Sequence, residues 1–303
     1  MRDVGVIGLG SLGAPMCRRF AGAGYRVIAC DLDERARAAL DDLELVTTTA
    51  DASAVAKGAE VIVLCLPSAE ASRAVSRALM PGRVRIVLET STVGPLVIRD
   101  LARELEVSRI AVLDVPVSGG PARALAGTLS MMMAGAPSLI EEVEPLVALI
   151  AQHRFHVGTE VGLAQVCKLV NNSVSAAGMV AACEATVLGV RSGLEAKTML
   201  DAINASSGRN AATEEKFPRS ILTGNFDHGG PLGLMVKDLE LFVGAAARLD
   251  LECAMAKAAL GVWKEAVRRT GGDADYCSLI RHLEADAGIE VRARNAASSA
   301  QRA

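Results

Sequence analysis

The chain has 303 residues, of which 51% are hydrophobic and only 3% aromatic. At roughly 100–200 residues per domain, this length predicts two domains, and their cores must be built from Ala, Val, Leu, Ile and Met. The formal net charge of −3 gives no general attraction to nucleic acid or to an anionic membrane. The composition therefore favours a small molecule as the ligand and other copies of the chain as the protein partner.

Seven cysteines occur without a C-x-x-C pair, mostly in apolar runs. A free cysteine in such a run acts as a small hydrophobe, so we expect reduced thiols.

The N-terminus enters a strand pattern at once, with no signal-peptide pattern, which predicts a cytoplasmic protein. Residues 161–183 are apolar apart from Lys168 and several amides and hydroxyls. Lipid would leave those polar groups unsatisfied, so we predict a buried helix of a soluble protein.

The first half of the chain alternates short apolar runs with helical patterns. The runs predict strands at Val4–Ile7, Arg26–Cys30, Val61–Leu66, Arg85–Glu89, Ile110–Val115 and Leu129–Ala134. Helical patterns lie at Leu12–Ala23, Asp33–Leu40, Ala69–Leu79 and Pro95–Leu105. This alternation is typical of an α/β fold, and continuous apolar strands indicate a sheet covered on both faces. Residues 1–158 are therefore predicted to form a Rossmann-type, doubly wound parallel sheet.

After about Val157 the sequence shows helical periodicity and no convincing strand. Residues 162–192 predict one helix about 45 Å long, at about 1.5 Å per residue. A second long helical pattern runs from Leu234 to about Thr270, and Cys277–Ala287 predicts a last short helix. Residues 159–290 are therefore predicted to form an all-helical domain for substrate binding and oligomerisation, and residues 291–303 a disordered tail.

A G-x-G-x-x-G motif stands directly after the first strand, where the next helix begins. Gly8 permits a tight turn, Gly10 lets the backbone approach a pyrophosphate, and Gly13 lets helix and strand pack closely. The pyrophosphate would then meet free N–H groups at the helix N-terminus. The residues predicted to form this cofactor loop are Gly8, Leu9, Gly10, Ser11, Leu12 and Gly13.

Asp31 ends the second predicted strand, 18 residues after Gly13. Its carboxylate can accept hydrogen bonds from both ribose hydroxyls of NAD and would repel the extra phosphate of NADP. Asp31 can also cap the next helix. Arg35 and Arg37 lie close enough in sequence to bind a 2′-phosphate, so NAD is the predicted cofactor and NADP remains open.

Four segments in the right order resemble the β-hydroxyacid dehydrogenase family, which includes 3-hydroxyisobutyrate dehydrogenase, tartronate semialdehyde reductase and glyoxylate reductases. The segments are Gly8–Met16 (GLGSLGAPM), Asp114–Pro121 (DVPVSGGP), Gly162–Asn172 (GLAQVCKLVNN) and Lys237–Leu239 (KDL). They resemble, in this order, the family's cofactor loop, its substrate-binding segment, its catalytic segment and its late Lys-Asp-Leu motif. The resemblance implies an oxidoreductase that moves a hydride between NAD(P) and a small β-hydroxy acid or the matching semialdehyde.

Lys168 and Asn172 are four residues apart and so share one helix face. Burial would lower the pKa of Lys168 and let it exchange a proton near neutral pH. The alternative is a surface lysine whose stem covers apolar neighbours beside two solvated asparagines. The resemblance implies that Lys168 is the general acid in reduction and the base in oxidation, and that Asn172 orients Lys168 or binds the substrate.

The resemblance also implies the other site residues. Ser118, Gly119 and Gly120 would bind the substrate carboxylate, and the glycines would let an anion approach the backbone. The positions implied to flank the nicotinamide half of the cofactor are Leu66, Pro67, Thr92 and Lys237.

Two departures from the family pattern matter. Ala164 stands where glycine is common, a change small enough that we expect activity to survive. Gly230 stands where many members carry an aromatic residue, and together with Gly233 it suggests a roomier pocket. We therefore expect an acid larger than glyoxylate.

The four histidines show no metal-ligand spacing, so no metal is predicted; only His228 is a candidate to line the pocket.

An imine reductase of the same fold is one alternative function, and the presence of Lys168 argues against it. A non-catalytic nucleotide-binding scaffold is another, against which the intact polar motifs argue. The apolar Lys168 helix predicts packing against other copies, as a homodimer or homotetramer.

Overall fold

The computed structural model describes residues 3–80 and 82–293, and its chain divides into two compact units at Leu169 and Val170. The division falls within a helix because the first turns of that helix pack on the sheet of the first unit. The predicted domain limit at residues 158 and 159 lies just before this helix and stays a prediction.

The first unit is built on one mostly parallel sheet. Its strands are β1 (Asp3–Ile7), β2 (Arg26–Cys30), β3 (Val46–Thr49), β4 (Val61–Leu64), β5 (Ile86–Glu89), β6 (Ala111–Asp114), β7 (Val117–Ser118), β8 (Leu129–Ala134) and β9 (Ala151–Gly158). They lie in the order β3-β2-β1-β4-β5-β6-β8-β7, with β9 beside β8. The first six strands in this order pair parallel to one another, which confirms the prediction of a doubly wound, Rossmann-type sheet.

The sheet departs from the wholly parallel prediction at β8, which runs antiparallel to β6 and β7. Only residues 119–128 connect β7 to β8, and a parallel return needs a crossover of about a dozen residues or more. β9 then pairs parallel to β8.

Helices cover both faces of this sheet. They are α1 (Gly13–Gly22), α2 (Glu34–Ala38), α3 (Ala52–Gly58), α4 (Ala69–Ala78), α5 (Pro95–Glu106), α6 (Gly120–Ala126) and α7 (Pro137–Val147). Successive residues of β1 face opposite sides, so Val4 and Val6 enter one hydrophobic cluster and Ile7 the other. Pro95 and Pro137 begin their helices, where a missing N–H costs nothing.

The second unit is helical throughout its described part. The long helix α8 (Leu163–Arg191) enters it, and α9 (Ala196–Asn204), a π-helical segment (Ala212–Ile221), α10 (Leu232–Ala247), α11 (Ala254–Thr270), a 3-10 turn (Tyr276–Leu279) and α12 (Ile280–Ala287) follow. Trp263 is fully buried in its core, and its Nε1 donates to the carbonyl oxygen of Ala176 at 3.3 Å. The all-helical prediction is therefore confirmed.

Two predictions for this unit are wrong. The pattern from Leu234 to Thr270 forms two helices, because Asp250 (φ 55°) and Cys253 (φ 42°) adopt left-handed backbone between them. The predicted tail begins too early, because Val291 is fully buried and its N–H donates to Glu284 Oε1 at 2.7 Å. Residues 294–303 of that predicted tail lie outside the described residues.

By length and composition alone, α8 is long and apolar enough to cross a membrane. In the structure it buries Gln165 in a polar network of the first unit, and Met179 and Cys183 in the core of the second. This is the burial pattern of a core helix, as the sequence predicts. All seven cysteines are free.

Candidate active site

The glycine loop between β1 and α1 fits a pyrophosphate. A Cβ on Gly8 would lie 2.2 Å from the carbonyl oxygen of Cys65, and one on Gly13 would lie 1.8 Å from that of Gly8. Gly8 also has a positive φ of 95°. A Cβ on Gly10 would meet nothing within 4 Å, so this backbone is open to a ligand. No side chain caps the N-terminus of α1, which leaves its N–H groups for an anion.

Asp31 is tied to this loop by its carboxylate. Its Oδ2 accepts the N–H of Leu9 at 2.7 Å, and its Oδ1 accepts the N–H of Asp33 at 2.9 Å. The cap of α2 is Asp33 rather than Asp31, so the capping alternative for Asp31 is wrong. Arg37 donates to the carbonyl oxygen of Asp31 at 2.8 Å. Asp31 is thus held at the edge of the glycine loop, where a ribose would lie.

Two buried carboxylates lie side by side where β5 and β6 end. Glu89 and Asp114 are register partners, and both are fully buried. Burial raises the pKa of Glu89 to about 7, although hydrogen bonds from Ser91 oppose the shift. Burial also raises the pKa of Asp114, against hydrogen bonds from Gln165 and Gly162. The carboxyl ends of parallel strands are where ligands bind in open α/β sheets.

Gln165, in the first turn of α8, joins this strand edge to the helix. Its Oε1 accepts the N–H groups of Val93 and Gly94, both at 2.9 Å. Its Nε2 donates to the carbonyl oxygen of Ser91 and to Asp114 Oδ1, both at 3.0 Å. The side chain is fully buried and makes all four of its hydrogen bonds. Gln165 thereby fixes the start of α8, and Lys168 follows one turn later.

The same network positions residues predicted to flank the nicotinamide. The Ser91 Oγ accepts the N–H of Leu66 at 2.8 Å, which ties the Leu66–Pro67 loop to the loop that carries Thr92. Both loops follow strands of the sheet, β4 and β5. The structure therefore brings Leu66, Pro67 and Thr92 to one edge of the first unit.

Lys168 and Asn172 are both buried, at 7% exposure each. The Asn172 Nδ2 donates to Asp238 Oδ2 at 2.6 Å, and Lys237 Nζ lies 3.0 Å from Asp238 Oδ1. Asn171 is exposed and donates to Asn172 Oδ1 at 3.0 Å. The alternative of a surface lysine beside two solvated asparagines matches Asn171 alone, because Lys168 and Asn172 are buried. The helix face instead presents an enclosed ammonium and an amide held by a carboxylate.

The Ser118–Gly120 loop requires its glycines. Gly119 has a φ of 133°, and a Cβ there would lie 2.8 Å from Arg123 Cδ. Gly120 has a φ of 72° and open space around its Cβ position. Ser118 is the last residue of β7, and α6 begins at Gly120. The backbone at Gly120 is therefore open to an approaching ligand.

Gly230 and Gly233 differ in their surroundings. A Cβ on Gly230 would meet nothing within 4 Å. One on Gly233 would lie 3.3 Å from the carbonyl oxygen of Gly272, which also accepts the Gly233 N–H at 2.9 Å. The interpretation of Gly233 as a pocket-widening residue is wrong, because it serves close backbone packing. The open space is at Gly230 alone.

Several residues of the site received no role from the sequence. Gln165 and Glu89 looked like isolated polar residues in apolar segments, and such isolation is the signal that could have indicated them. Asp238 belongs to the Lys-Asp-Leu motif, but the sequence assigned no role to this residue. No group of three or more His, Cys, Asp or Glu residues suited to a metal ion occurs within residues 3–80 and 82–293.

A Rossmann-type sheet with open backbone at Gly10 and an acid after β2 is typical of a dinucleotide-binding protein. Residues 3–158 match the family described as the NAD binding domain of 6-phosphogluconate dehydrogenase. Residues 162–283 match the family described as the NAD-binding part of NADP-dependent 3-hydroxyisobutyrate dehydrogenase. The chain belongs to the β-hydroxyacid dehydrogenase family of NAD(P)-dependent enzymes, which act on the hydroxyl groups of hydroxy acids.

Relatives match over nearly the whole chain. The NAD-dependent L-serine dehydrogenase of Pseudomonas aeruginosa is 32% identical, over 93% of this chain and 98% of that protein. The 2-(hydroxymethyl)glutarate dehydrogenase of Eubacterium barkeri is 31% identical, over 95% and 97%. The solved structure of Mycobacterium tuberculosis 3-hydroxyisobutyrate dehydrogenase with L-serine has a TM-score of 0.83 and 28% identity, over 93% of this chain and 99% of that one.

Proposed function

We propose that this enzyme oxidises a small β-hydroxy acid of the 3-hydroxyisobutyrate type, or reduces the matching semialdehyde, with Lys168 as general acid and base. The observation that carries the proposal is the buried pair of Lys168 and Asn172 on one face of α8. Burial of an ammonium is costly unless its charge is used or compensated. A lysine enclosed next to a positioned amide suits proton exchange with a substrate hydroxyl.

The residues divide the work as follows. NAD held by the glycine loop would supply the acceptor for the hydride of the carbinol carbon. The neutral amine form of Lys168 takes the hydroxyl proton in oxidation, and the ammonium form returns it to the carbonyl oxygen in reduction. Asn172, held by Asp238, orients Lys168 or hydrogen-bonds the substrate. The Ser118 hydroxyl and the backbone at Gly119 and Gly120 bind the carboxylate.

A substrate panel tests this function. Because Gly230 leaves open space, we expect 3-hydroxyisobutyrate and larger alkyl-substituted β-hydroxy acids to be better substrates than glyoxylate. A pocket-size change of this kind is typically worth about 1–3 kcal/mol in kcat/KM. The measurement is NADH formation or consumption with each acid or semialdehyde. Preference for glyoxylate would contradict our interpretation of Gly230, and no turnover with any acid would contradict the function.

The cofactor assignment predicts the behaviour of Asp31→Asn. This change should lower NAD affinity and relax discrimination against NADP about tenfold, which corresponds to about 1.4 kcal/mol. The matched control is Asp33→Asn, which removes the same charge two residues away, from the cap of α2. Both are measured as kcat/KM for each cofactor. Wild-type preference for NADPH would contradict the assignment and would indicate Arg35 or Arg37 as the phosphate partner.

The outer face of α8 supports association of copies. Val166, Val170, Val174 and Leu188 are exposed on this helix, at 39%, 48%, 71% and 68%. Spacings of about four residues place the three valines on one stripe. We propose that a homodimer or homotetramer covers this stripe in the cytoplasm, and a monomeric mass in solution at micromolar concentration would contradict it.

The alternatives remain an imine reductase-like enzyme of the same fold and a non-catalytic scaffold. The buried Lys168 argues against the imine reductase. The buried and fully hydrogen-bonded Gln165, one turn before Lys168, argues against the scaffold.

Lys237 is proposed to lie near the nicotinamide. In the structure its ammonium pairs with Asp238.

A further inference from the structure

A second lysine is buried in the helical unit, outside the residues assigned above. Lys216 lies in the π-helical segment and is only 8% exposed. Among residues 3–80 and 82–293, its ammonium has no carboxylate within ion-pair distance. The Lys216 ammonium lies over the ring of Tyr276, whose centroid is 5.3 Å from Nζ. Burial lowers the pKa of Lys216, and the charge of Glu215 opposes this shift.

The neighbourhood of Lys216 contains buried polar groups and two carboxylates that are already hydrogen-bonded. The Tyr276 hydroxyl is buried, and the described residues offer it no partner of normal hydrogen-bond geometry. The His228 ring lies 5.7 Å from the Tyr276 ring, and burial together with the Lys216 charge lowers the pKa of His228. The Asp275 carboxylate is engaged by the N–H groups of Gly229 and Cys277, both at 2.8 Å. Asp227 Oδ1 accepts a hydrogen bond from Ser220 at 3.1 Å.

This cluster adjoins the face of α8 that carries the proposed catalytic residues. Ser175 lies near the Tyr276 hydroxyl and lowers the pKa of Tyr276, which burial raises. Ser175 is three residues beyond Asn172 and seven beyond Lys168, so all three share one helix face. The rise from Lys168 to Ser175 is about 10 Å. The carbonyl oxygen of Gly230, where the structure is open, accepts the Tyr276 N–H at 2.6 Å.

We propose that Lys216, assisted by the Tyr276 hydroxyl, binds a second carboxylate of the substrate, so that the preferred β-hydroxy acids are dicarboxylates. The proposal rests on the proposed function and narrows its substrate class. The incoming carboxylate supplies the missing counter-ion to the buried ammonium and a partner to the phenol.

The test compares two acids that differ only at one end. 2-(Hydroxymethyl)glutarate ends in a carboxylate, and 2-(hydroxymethyl)pentanoate ends in a methyl group. The wild-type enzyme with NAD should prefer the dicarboxylate in kcat/KM. Lys216→Met should lower the ratio of the two values about 10- to 100-fold, the typical worth of a hydrogen bond to a charged group. Lys57→Met, which removes an exposed lysine, should leave the ratio at the wild-type value.

The outcomes separate this proposal from the proposed function. Wild-type turnover of both acids without preference, or an unchanged ratio in Lys216→Met, would overturn the second carboxylate site. Wild-type turnover of neither acid, nor of any other acid of the substrate panel, would overturn the proposed function. The site is then still tested by calorimetry with glutarate and pentanoate, which lack the reacting hydroxyl: wild-type protein with NAD should bind glutarate more tightly. Equal binding of both would overturn the site.

A second variant covers the case in which Lys216→Met does not fold. Tyr276→Phe keeps the ring that packs on Trp263 at 4.7 Å between centroids and removes only the hydroxyl. It should lower the same ratio several-fold, with Lys216 intact. If Tyr276→Phe has the same ratio of kcat/KM values for the two acids as the wild type, the phenol does not contact the substrate. That result would overturn the role of Tyr276 in binding the second carboxylate.

Discussion

Lys168→Ala should lower kcat by about 10²–10⁴-fold, because proton transfer by a positioned group is typically worth that much. Cofactor affinity should stay close to the wild-type value, since the glycine loop and Asp31 are on other elements of the first unit. The measurement is steady-state turnover of the best acid of the panel, together with NAD binding by fluorescence quenching. The matched control is Lys57→Ala, which makes the same change at an exposed lysine and should retain wild-type turnover.

A small added amine distinguishes a proton carrier from a structural lysine. If Lys168 exchanges the proton, methylamine should restore part of the turnover of Lys168→Ala, because the space left by the side chain admits a substitute base. Near-normal kcat in the unrescued variant would contradict the mechanism. Lost turnover with no response to methylamine, together with a lowered melting temperature, would indicate a structural role for Lys168.

Gln165→Leu should lower the free energy of unfolding by about 3–5 kcal/mol. The change removes one acceptor shared by the N–H groups of Val93 and Gly94 and one donor shared by Ser91 and Asp114. Each buried polar group left unsatisfied costs about 1–3 kcal/mol, and more when it is charged. The value is measured by urea denaturation. Turnover should fall as well, because the start of α8 loses its attachment to the sheet.

The control for this prediction is Gln152→Leu, which makes the same side-chain change at an exposed position of β9. Its effect on the free energy of unfolding should stay within about 0.5 kcal/mol, as is usual for surface substitutions. Equal stability of the two variants would show that the Gln165 network contributes little to the fold.

The sequence could predict those parts of the fold that depend on local chemistry. The glycine loop, the acid at the end of β2 and the long helix α8 each have a pattern confined to neighbouring residues, and the structure has them within one residue of the predicted bounds. The edge strand β3 was missed because VTTT is only half-buried, and β9 because its exposed residues include two histidines and a glutamine. Neither segment shows the apolar run that marks the central strands.

The polar network of the site could not be predicted, because its partners are distant in sequence. Gln165 and Val93 are 72 residues apart, and Asn172 and Asp238 are 66 apart. The burial of Lys216 could not be predicted either, since it depends on how the surrounding helices pack. A polar residue in an apolar segment indicates that a partner exists, and the sheet topology decides which partner it is.

Isotope transfer tests the central claim most directly. A 3-hydroxyisobutyrate-type acid carrying deuterium on its carbinol carbon is incubated with the enzyme and NAD, and the reduced nicotinamide is examined by mass spectrometry. We expect the deuterium to be recovered in the reduced nicotinamide, because a hydroxyacid dehydrogenase moves that hydride without exchange with water. Formation of the aldehyde acid with the deuterium lost to solvent, or no reduced nicotinamide at all, would contradict the assignment.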